Sequence, residues 1–194
     1  QWSNEEIDFA VMGMVAEQGG PSLANGHYFG TDDLGRDLFA RTVQGTQISL
    51  AVGIIGSAIA VVVGTIYGAT AGYFGGRIDN IMMRTVDILL AIPYMFVLIL
   101  LLVMYGRSIT MLFVGVGLIS WLEMSRIVRG QTLTLKGREY IEAARAIGVP
   151  APVIIRRHIL PNLIGVVTVF ATLLVPNMIL TESFISFLGL GVQE

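Results

Sequence analysis

One stretch of the chain decides its class: residues 42–76, TVQGTQISLAVGIIGSAIAVVVGTIYGATAGYFGG, contain no Asp, Glu, Lys or Arg. A helix needs roughly 20 apolar residues to cross about 30 Å of hydrocarbon. Residues 48–72 meet that requirement, and we predict that they span a membrane. Long uncharged stretches are rare in soluble folds, so this one favours lipid as the surroundings.

Three further runs can span in the same way, at residues 88–106, 108–125 and 160–181. The run at 108–125 is the shortest, because only residues 108–122 are free of charge. It can span only if Arg107 snorkels outward at one end and the helix continues past Glu123 at the other. A buried core helix of a soluble protein is the alternative for any single run, but four runs in one chain disfavour it. The sequence therefore predicts an all-α polytopic transmembrane helix bundle with four transmembrane helices in this chain.

The composition excludes several other classes. The chain has 194 residues, of which 54% are hydrophobic and 13% charged, with a net charge of −2 and no cysteine. Thiol chemistry and cysteine-ligated metals are excluded, and a nucleic-acid binder would need clustered basic residues. The single lysine, Lys136, does not lie in a phosphate-binding Gly-Lys-Ser/Thr motif. We expect no catalytic residue, no metal and no cofactor on this chain.

The basic residues predict which way the helices run. Nine of the twelve fall on one face of the predicted bundle, which should therefore be cytoplasmic: Arg77, Arg84, Arg126, Arg129, Lys136, Arg138, Arg145, Arg156 and Arg157. Residues 1–47 then form an outer segment with an interfacial helix, and residues 48–194 form the membrane domain with a cytoplasmic loop at 126–159. Because both ends would lie outside, we expect a further helix before Gln1 and another after Glu194, giving six.

Small residues recur every four positions in the first predicted span. Side chains four apart share one face of a helix, so these residues form a smooth stripe that another helix can approach closely. Static packing and sliding during a transport cycle are both compatible with it. The stripe comprises Gly56, Ala60, Gly64, Gly68 and Gly72. In the second predicted span, Pro93 should kink the helix.

The cytoplasmic loop has a helical pattern of its own. Strong helix formers run from Glu139 to Gly148, where a glycine suits the position after a helix end, and Pro150 and Pro152 prevent continuation. The predicted short helix is a knob of small and apolar residues. It could enter a groove on a partner as a rigid lever, or it could be a solvated hairpin without a partner.

The same loop resembles the EAA loop of ABC-type importer permeases. Glu142-Ala143-Ala144 is followed after three residues by Gly148, and after nine more by His158-Ile159-Leu160-Pro161; His158 stands where the family usually has Ile. Residues 27–37, 121–131 and 182–191 are similar to the dipeptide/oligopeptide/nickel branch of that family. The resemblance covers most of the chain from His27 onward, and within the branch it is greatest to oligopeptide permeases.

The resemblance implies a MetI-like type I importer permease of the bacterial inner membrane. It implies a second permease subunit, two cytoplasmic ATPases that hold ATP and Mg, a periplasmic binding protein and a peptide substrate. The residues implied to couple to an ATPase are Glu139, Tyr140, Ile141, Glu142, Ala143, Ala144, Arg145, Ala146, Ile147 and Gly148, with Leu160 and Pro161.

Two questions stay open at this level. Glu182 lies at the outer end of the last predicted span, where it could contact a gate or a peptide amino group, or could be an ordinary helix-end carboxylate. Dipeptides or nickel are alternative substrates within the branch. A fragment of an ion-coupled secondary transporter is a further alternative, but it predicts ionisable residues inside the spans, and the uncharged runs at 42–76, 88–106, 108–122 and 159–181 contain no Asp, Glu, Lys or Arg.

Overall fold

The computed structural model describes residues 20–23, 26–106 and 109–189, and the regular elements in these ranges are helices. The predicted all-α class is therefore confirmed. The helices are α1 Leu38–Phe74, α2 Gly76–Ala91, α3 Tyr94–Tyr105, α4 Ile109–Lys136, α5 Glu139–Ala146, α6 Ala151–Ile154 and α7 Leu160–Phe187, with a π-helical turn at Ile155–Ile159. The chain forms two compact units whose boundary lies within α1, between Leu50 and Ala51.

Helix α1 begins ten residues before the predicted span. Its first turn is stabilised by Asp37, whose Oδ1 accepts a hydrogen bond from the Ala40 N–H at 2.8 Å, as an N-capping carboxylate does. In the described part of residues 1–47 this start of α1 is the one helix. The predicted interfacial helix is thus not a separate element in these described residues, because the long helix α1 begins directly after its capping residue Asp37.

Two helical stretches of the described residues are long and apolar enough to cross a membrane: α1, and the continuous helical run Ala151–Phe187. Helices α2 and α3 would together make a third span, bent by 74°. Helix α4 is not in this group, so the structure identifies up to three of the four predicted spans. The predicted span at 108–125 begins at Ser108, which lies outside the described residues, and it stays a prediction.

The predicted kink at Pro93 is confirmed, and it is a complete break between α2 and α3. Proline lacks an N–H group and disfavours the helical conformation of the residue before it. Ile92 accordingly has extended dihedral angles, φ −82° and ψ 127°. The predicted single span at 88–106 is therefore two helices, because this residue turns the chain before α3 begins.

The last predicted span is part of a longer helical stretch. Helix α6 begins after Pro150 and passes through the π-helical turn into α7 without interruption. Pro161 lies in the first turn of α7. The missing N–H of this proline costs little there, because the preceding π-helical turn is already irregular. The end of the cytoplasmic loop and the last span consequently form one continuous rod.

A buried cluster joins six of these elements. It contains Ala69 and Tyr73 from α1, Met124 and Val128 from α4, Ile141 and Ala144 from α5, and, from α6, the π-helical turn and α7, Ile154, Ile159 and Leu163. The rings of Tyr67 in α1 and Trp121 in α4 also pack edge to face, with centroids 4.9 Å apart. The short loop helix is thus part of the core of its unit.

Candidate functional site

Helix α5 is the predicted coupling helix, and one side of it is buried. Ile141 is fully buried and Ala144 nearly so, both in the cluster that contains Ile154 and Leu163. Burying an Ile side chain stabilises the packing by about 2 kcal/mol. A force applied to α5 is therefore transmitted to the rod that ends in the last span.

The opposite side of α5 faces outward from the chain. Ile147 is 80% exposed and Tyr140 is 42% exposed, which is unusual for such apolar side chains. The other exposed residues of the predicted set are Glu139, Glu142, Ala143, Arg145, Ala146 and Gly148. Of the two remaining residues, Leu160 packs against the core cluster and Pro161 is exposed. Ten of the predicted residues thus lie on α5 or directly after it, whereas Leu160 and Pro161 lie at the start of α7.

The end of α5 has the geometry that the sequence predicts for Gly148. Its φ is +81°, a conformation that favours glycine. The Val149 N–H donates to the Ala144 carbonyl at 3.0 Å, and the Gly148 N–H donates to the Arg145 carbonyl at 2.9 Å. This pair of bonds is the Schellman motif, which satisfies carbonyls at a helix end. The motif sets the direction in which the chain leaves α5.

Two cations rest on one aromatic ring beside the coupling helix. The Arg145 guanidinium lies 5.1 Å from the centroid of the Tyr73 ring, and the Lys136 Nζ lies 5.9 Å from it. Each is within the range of a cation–π interaction. Tyr73 belongs to α1, so these contacts tie the end of α4 and the last turn of α5 to the end of α1.

The small residues of α1 lie against two different helices. A Cβ at Gly56 would lie 2.8 Å from Met178 Sδ of α7. Gly64, Gly68 and Gly72 face α4, and a Cβ at Gly68 would lie 2.3 Å from the Ser125 carbonyl oxygen. At Gly68 the obstacle is backbone, which leaves no room for a side chain, whereas at Gly56 it is the flexible side chain of Met178. Ala60, between the two groups, is fully buried.

Two ion pairs that sequence reasoning missed join α2 to α4. Asp79 is buried and accepts two hydrogen bonds from Arg129, at 2.5 and 2.6 Å. Asp87 pairs with Arg126 at a more exposed position. The sequence pattern of α2 places Asp87 on one face with Asn80 and Arg84, but it does not indicate the partner of either aspartate. The eight-residue spacing of the two aspartates, close to two helical turns, was the available signal.

A compact loop precedes α1 in the first unit. Asp32 accepts hydrogen bonds from the N–H groups of Leu34 and Arg36 and from the side chains of Arg36 and Arg41. Burial raises the pKa of Asp32, but these donors outweigh it and lower the pKa to about 2. At the end of the loop, His27 Nδ1 lies 2.9 Å from Asp37 Oδ2. The loop thus holds two ionised carboxylates in fixed positions.

Glu182 lies inside α7, about one turn before its end. Its side chain is 8% exposed, and its Oε1 accepts a hydrogen bond from the Ser186 hydroxyl at 2.8 Å. This burial distinguishes it from an ordinary exposed helix-end carboxylate. The segment predicted to follow it, through Gly191, extends beyond the described residues, and a role as a gate or substrate contact stays a prediction.

A profile of a known family matches residues 64–193, which include α4, α5 and all of α7. Its description is "Binding-protein-dependent transport system inner membrane component". The chain belongs to this family. The exposed loop helix on a packed rod therefore lies within the region by which the family is defined.

Individual relatives agree with the family. The chain is 51% identical over 190 residues to the oligopeptide transport system permease protein OppC of Haemophilus influenzae, and covers 60% of it. It is 58% identical over 194 residues to OppC of Salmonella typhimurium, covering 63%. It is 48% identical over 179 residues to the dipeptide transport system permease protein DppC of Bacillus subtilis, covering 56%.

These alignments cover 98%, 100% and 92% of this chain, respectively. The chain thus spans less than two thirds of the length of each relative. The match to OppC confirms the resemblance to oligopeptide permeases.

Proposed function

We propose that this chain is the membrane-spanning part of a permease subunit that carries oligopeptides across the bacterial inner membrane. It would form a pore with a second permease subunit, and a periplasmic binding protein would deliver the peptide. The 51–58% identity to OppC proteins supports oligopeptides as the substrate. The membrane domain would be residues 48–194, with residues 1–47 on the periplasmic side.

The observation that carries the mechanism is the two-sided packing of α5. Its outer face is exposed and partly apolar, while Ile141 and Ala144 on its inner face are locked into the core cluster. We infer that the outer face docks in a groove on a cytoplasmic ATPase. Closure of two ATPases around ATP would push α5, and the rod would move the last span as a rigid body.

The chain itself would contribute no chemistry to ATP hydrolysis. Its sequence lacks the Gly-Lys-Ser/Thr motif that holds phosphates. ATP and Mg would be bound by the partner subunits, and this subunit would convert their movement into a change of access. The exposed residues of α5 would then be contact residues, and Gly148 would set the angle of the lever.

The test is reconstitution of the full-length protein in proteoliposomes with the second permease subunit, both ATPases and the binding protein. We expect peptide-loaded binding protein to stimulate ATP hydrolysis and labelled peptide to accumulate. Replacing exposed Ala143 with Trp should abolish both while the subunit stays in the membrane. Normal uptake by a well-expressed Ala143→Trp variant would contradict the docking assignment.

Dipeptides are the second candidate substrate, because the chain is 48% identical to a dipeptide permease. The same proteoliposomes distinguish the two when dialanine and tetra-alanine are supplied in turn. We expect the tetrapeptide to be accumulated. Accumulation of the dipeptide alone would favour the second candidate and leave the coupling mechanism unchanged.

A further inference from the structure

A cavity of about 560 Å³ lies in the second unit, between the α2–α3 break and helices α4 and α7. Pro93 and Leu90 form one wall, and Ser120 and Glu123 of α4 form the second. Asn177 and Thr181 of α7 contribute to the third. Most of the remaining lining is apolar. A volume of this size accommodates several amino-acid residues of a small ligand.

The helix break leaves backbone acceptors beside this cavity. In a continuous helix, Tyr94 N–H would donate to the Leu90 carbonyl; instead Ile92 N–H donates to Leu89, and Phe96 N–H donates to Pro93. The carbonyls of Leu90 and Ile92 accept no hydrogen bond in the part of the chain that the structure describes. Both residues line the cavity.

The position of the break makes these carbonyls costly. Ile92 lies about 6 Å past residue 88, where the predicted span begins, so the break falls within the hydrocarbon layer of the predicted topology, near its cytoplasmic side. Non-helical backbone is tolerated at such depth only where it is buried in protein or lines a polar cavity. The free carbonyls therefore need donors from whatever occupies the cavity.

The side chains of the cavity add further acceptors. The hydroxyl of Ser120 donates to the Val116 carbonyl at 2.9 Å, and that of Thr181 donates to the Asn177 carbonyl at 2.9 Å. Both hydroxyl hydrogens are used within their own helices, so the hydroxyl oxygens can only accept from a ligand. These two hydroxyl oxygens can accept from a ligand, and the side-chain amide of Asn177 can both donate and accept.

The charge of the cavity lining favours a cationic ligand. Glu123 makes no ion pair within the described residues, and the lining contains no Lys, Arg or His. The nearest basic side chain on the same helix, Arg126, is paired with Asp87. The net charge is therefore negative, and an occupying cation would be favoured over an anion.

We propose that this cavity binds the amino-terminal end of the transported peptide, with its ammonium group donating to Glu123. The free carbonyls at the break and the two hydroxyl oxygens accept from the peptide N–H groups. The apolar walls contact side chains without selecting among them, as a transporter of many peptides requires. This inference rests on the proposed function, because it names the peptide as the ligand.

The test uses the reconstituted full-length transporter and radiolabelled tetra-alanine with a free amino terminus. p-Benzoylphenylalanine is placed at Leu174, which lines the cavity, or at the neighbouring Leu173, which is 62% exposed and does not line it. During turnover we expect peptide to cross-link at position 174 and not at 173. Glu123→Gln should reduce this cross-linking about tenfold, as loss of one charge-assisted hydrogen bond does.

A second pair of variants guards against a folding defect in Glu123→Gln. Thr181→Val removes an acceptor from the cavity, whereas Thr172→Val alters an exposed threonine of the same helix that also donates to its own backbone. We expect slower uptake only for Thr181→Val. Equal uptake by the two variants, or cross-linking of lipid in place of peptide at position 174, overturns the inference while peptide uptake by the wild type stands. Absence of wild-type uptake contradicts the proposed function itself.

Discussion

Gly148 acts through its backbone conformation alone. A side chain there would meet no atom within 4 Å, yet its φ of +81° is strained for most L residues. The two hydrogen bonds that end α5 depend on that conformation. Substitutions at Gly148 therefore test the effect of backbone strain on α5 without adding a steric clash.

We predict that Gly148→Val lowers peptide-stimulated ATP hydrolysis by the reconstituted transporter at least fivefold. The left-handed conformation costs a bulky residue about 1–2 kcal/mol, which favours a different exit from α5. Gly148→Asn is the matched variant, since Asn tolerates this conformation better. Equal activity of the Val and Asn variants would show that the backbone angle does not matter.

Gly68 is limited by space instead. A Cβ there would lie 2.3 Å from a backbone oxygen of α4. We predict that Gly68→Ala lowers the free energy of unfolding by about 3 kcal/mol, because two helices must separate. Gly165→Ala, in α7 with no atom within 4 Å, should change it by less than about 1 kcal/mol. Thermal unfolding in detergent measures both, and equal losses would contradict the close packing.

The low pKa of Asp32 predicts that acid destabilises the first unit. Its pKa is about 2 in the folded chain against 3.8 ordinarily. A lowered pKa means that the carboxylate stabilises the folded loop above about pH 4 and loses this effect as the pH falls through 2. In protein labelled with 15N-arginine, the amide resonance of Arg36 should titrate with a midpoint near pH 2. A midpoint near pH 4 would contradict the assignment. A titration of the Arg36 resonance that persists unchanged in the Asp32→Asn variant would also contradict it.

At the scale of elements, the α2–α4 contact depends on two ion pairs of different burial. The side chains of Asp79 and Arg129 are 8% and 33% exposed, whereas those of Asp87 and Arg126 are both about half exposed. An unpaired charge costs more where water cannot reach it. The inner pair should therefore determine how firmly α2 is held.

We predict that Arg129→Gln destabilises the protein by about 3 kcal/mol, because it leaves Asp79 buried without a partner. Arg126→Gln should cost less than about 1 kcal/mol, as exposed pairs do. Asp79→Asn in the Arg129→Gln background should recover part of the loss. Thermal unfolding of the four proteins provides the comparison, and similar effects of the two arginine variants would contradict it.

At the scale of the whole chain, the bent α2–α3 pair raises the question of whether it crosses the membrane. If α2 follows the membrane normal, it rises about 24 Å, and α3 at a bend of 74° adds about 5 Å. The total is close to the hydrocarbon thickness of about 30 Å only if the charged part of α2, which precedes the predicted span at 88–106, is counted. The α3–α4 connection therefore lies outside if all of α2 crosses the hydrocarbon, and the α2–α3 pair is re-entrant otherwise.

We predict that Tyr105→Cys is labelled by a membrane-impermeant maleimide added outside right-side-out vesicles. Both Tyr105 and Ile147 are well exposed, and the 194-residue chain contains no cysteine. Ile147→Cys, on the predicted cytoplasmic side, should react only after the vesicles are opened. Labelling of both positions only after opening would make α2 and α3 a re-entrant loop.

Local patterns along the chain were sufficient to predict the helical class, the break at Pro93 and the end of α5 at Gly148. Each depends on a few neighbouring residues: apolar length, a missing N–H, or a backbone angle that glycine favours. The family resemblance was visible for the same reason, because the loop motif occupies one short segment. The start of α1 was misplaced, since apolar length does not reveal that Asp37 caps a helix ten residues upstream.

The pairing of distant residues could not be obtained in this way. Asp79 meets Arg129 across 50 positions, and the glycine stripe divides between α7 and α4. The cavity needs a helix break, Glu123 and Thr181 on three separate helices. Such contacts depend on the relative placement of whole helices, which is set by the sum of many packing interactions. Periodicity shows which face of a helix is buried, but it does not show which helix covers that face.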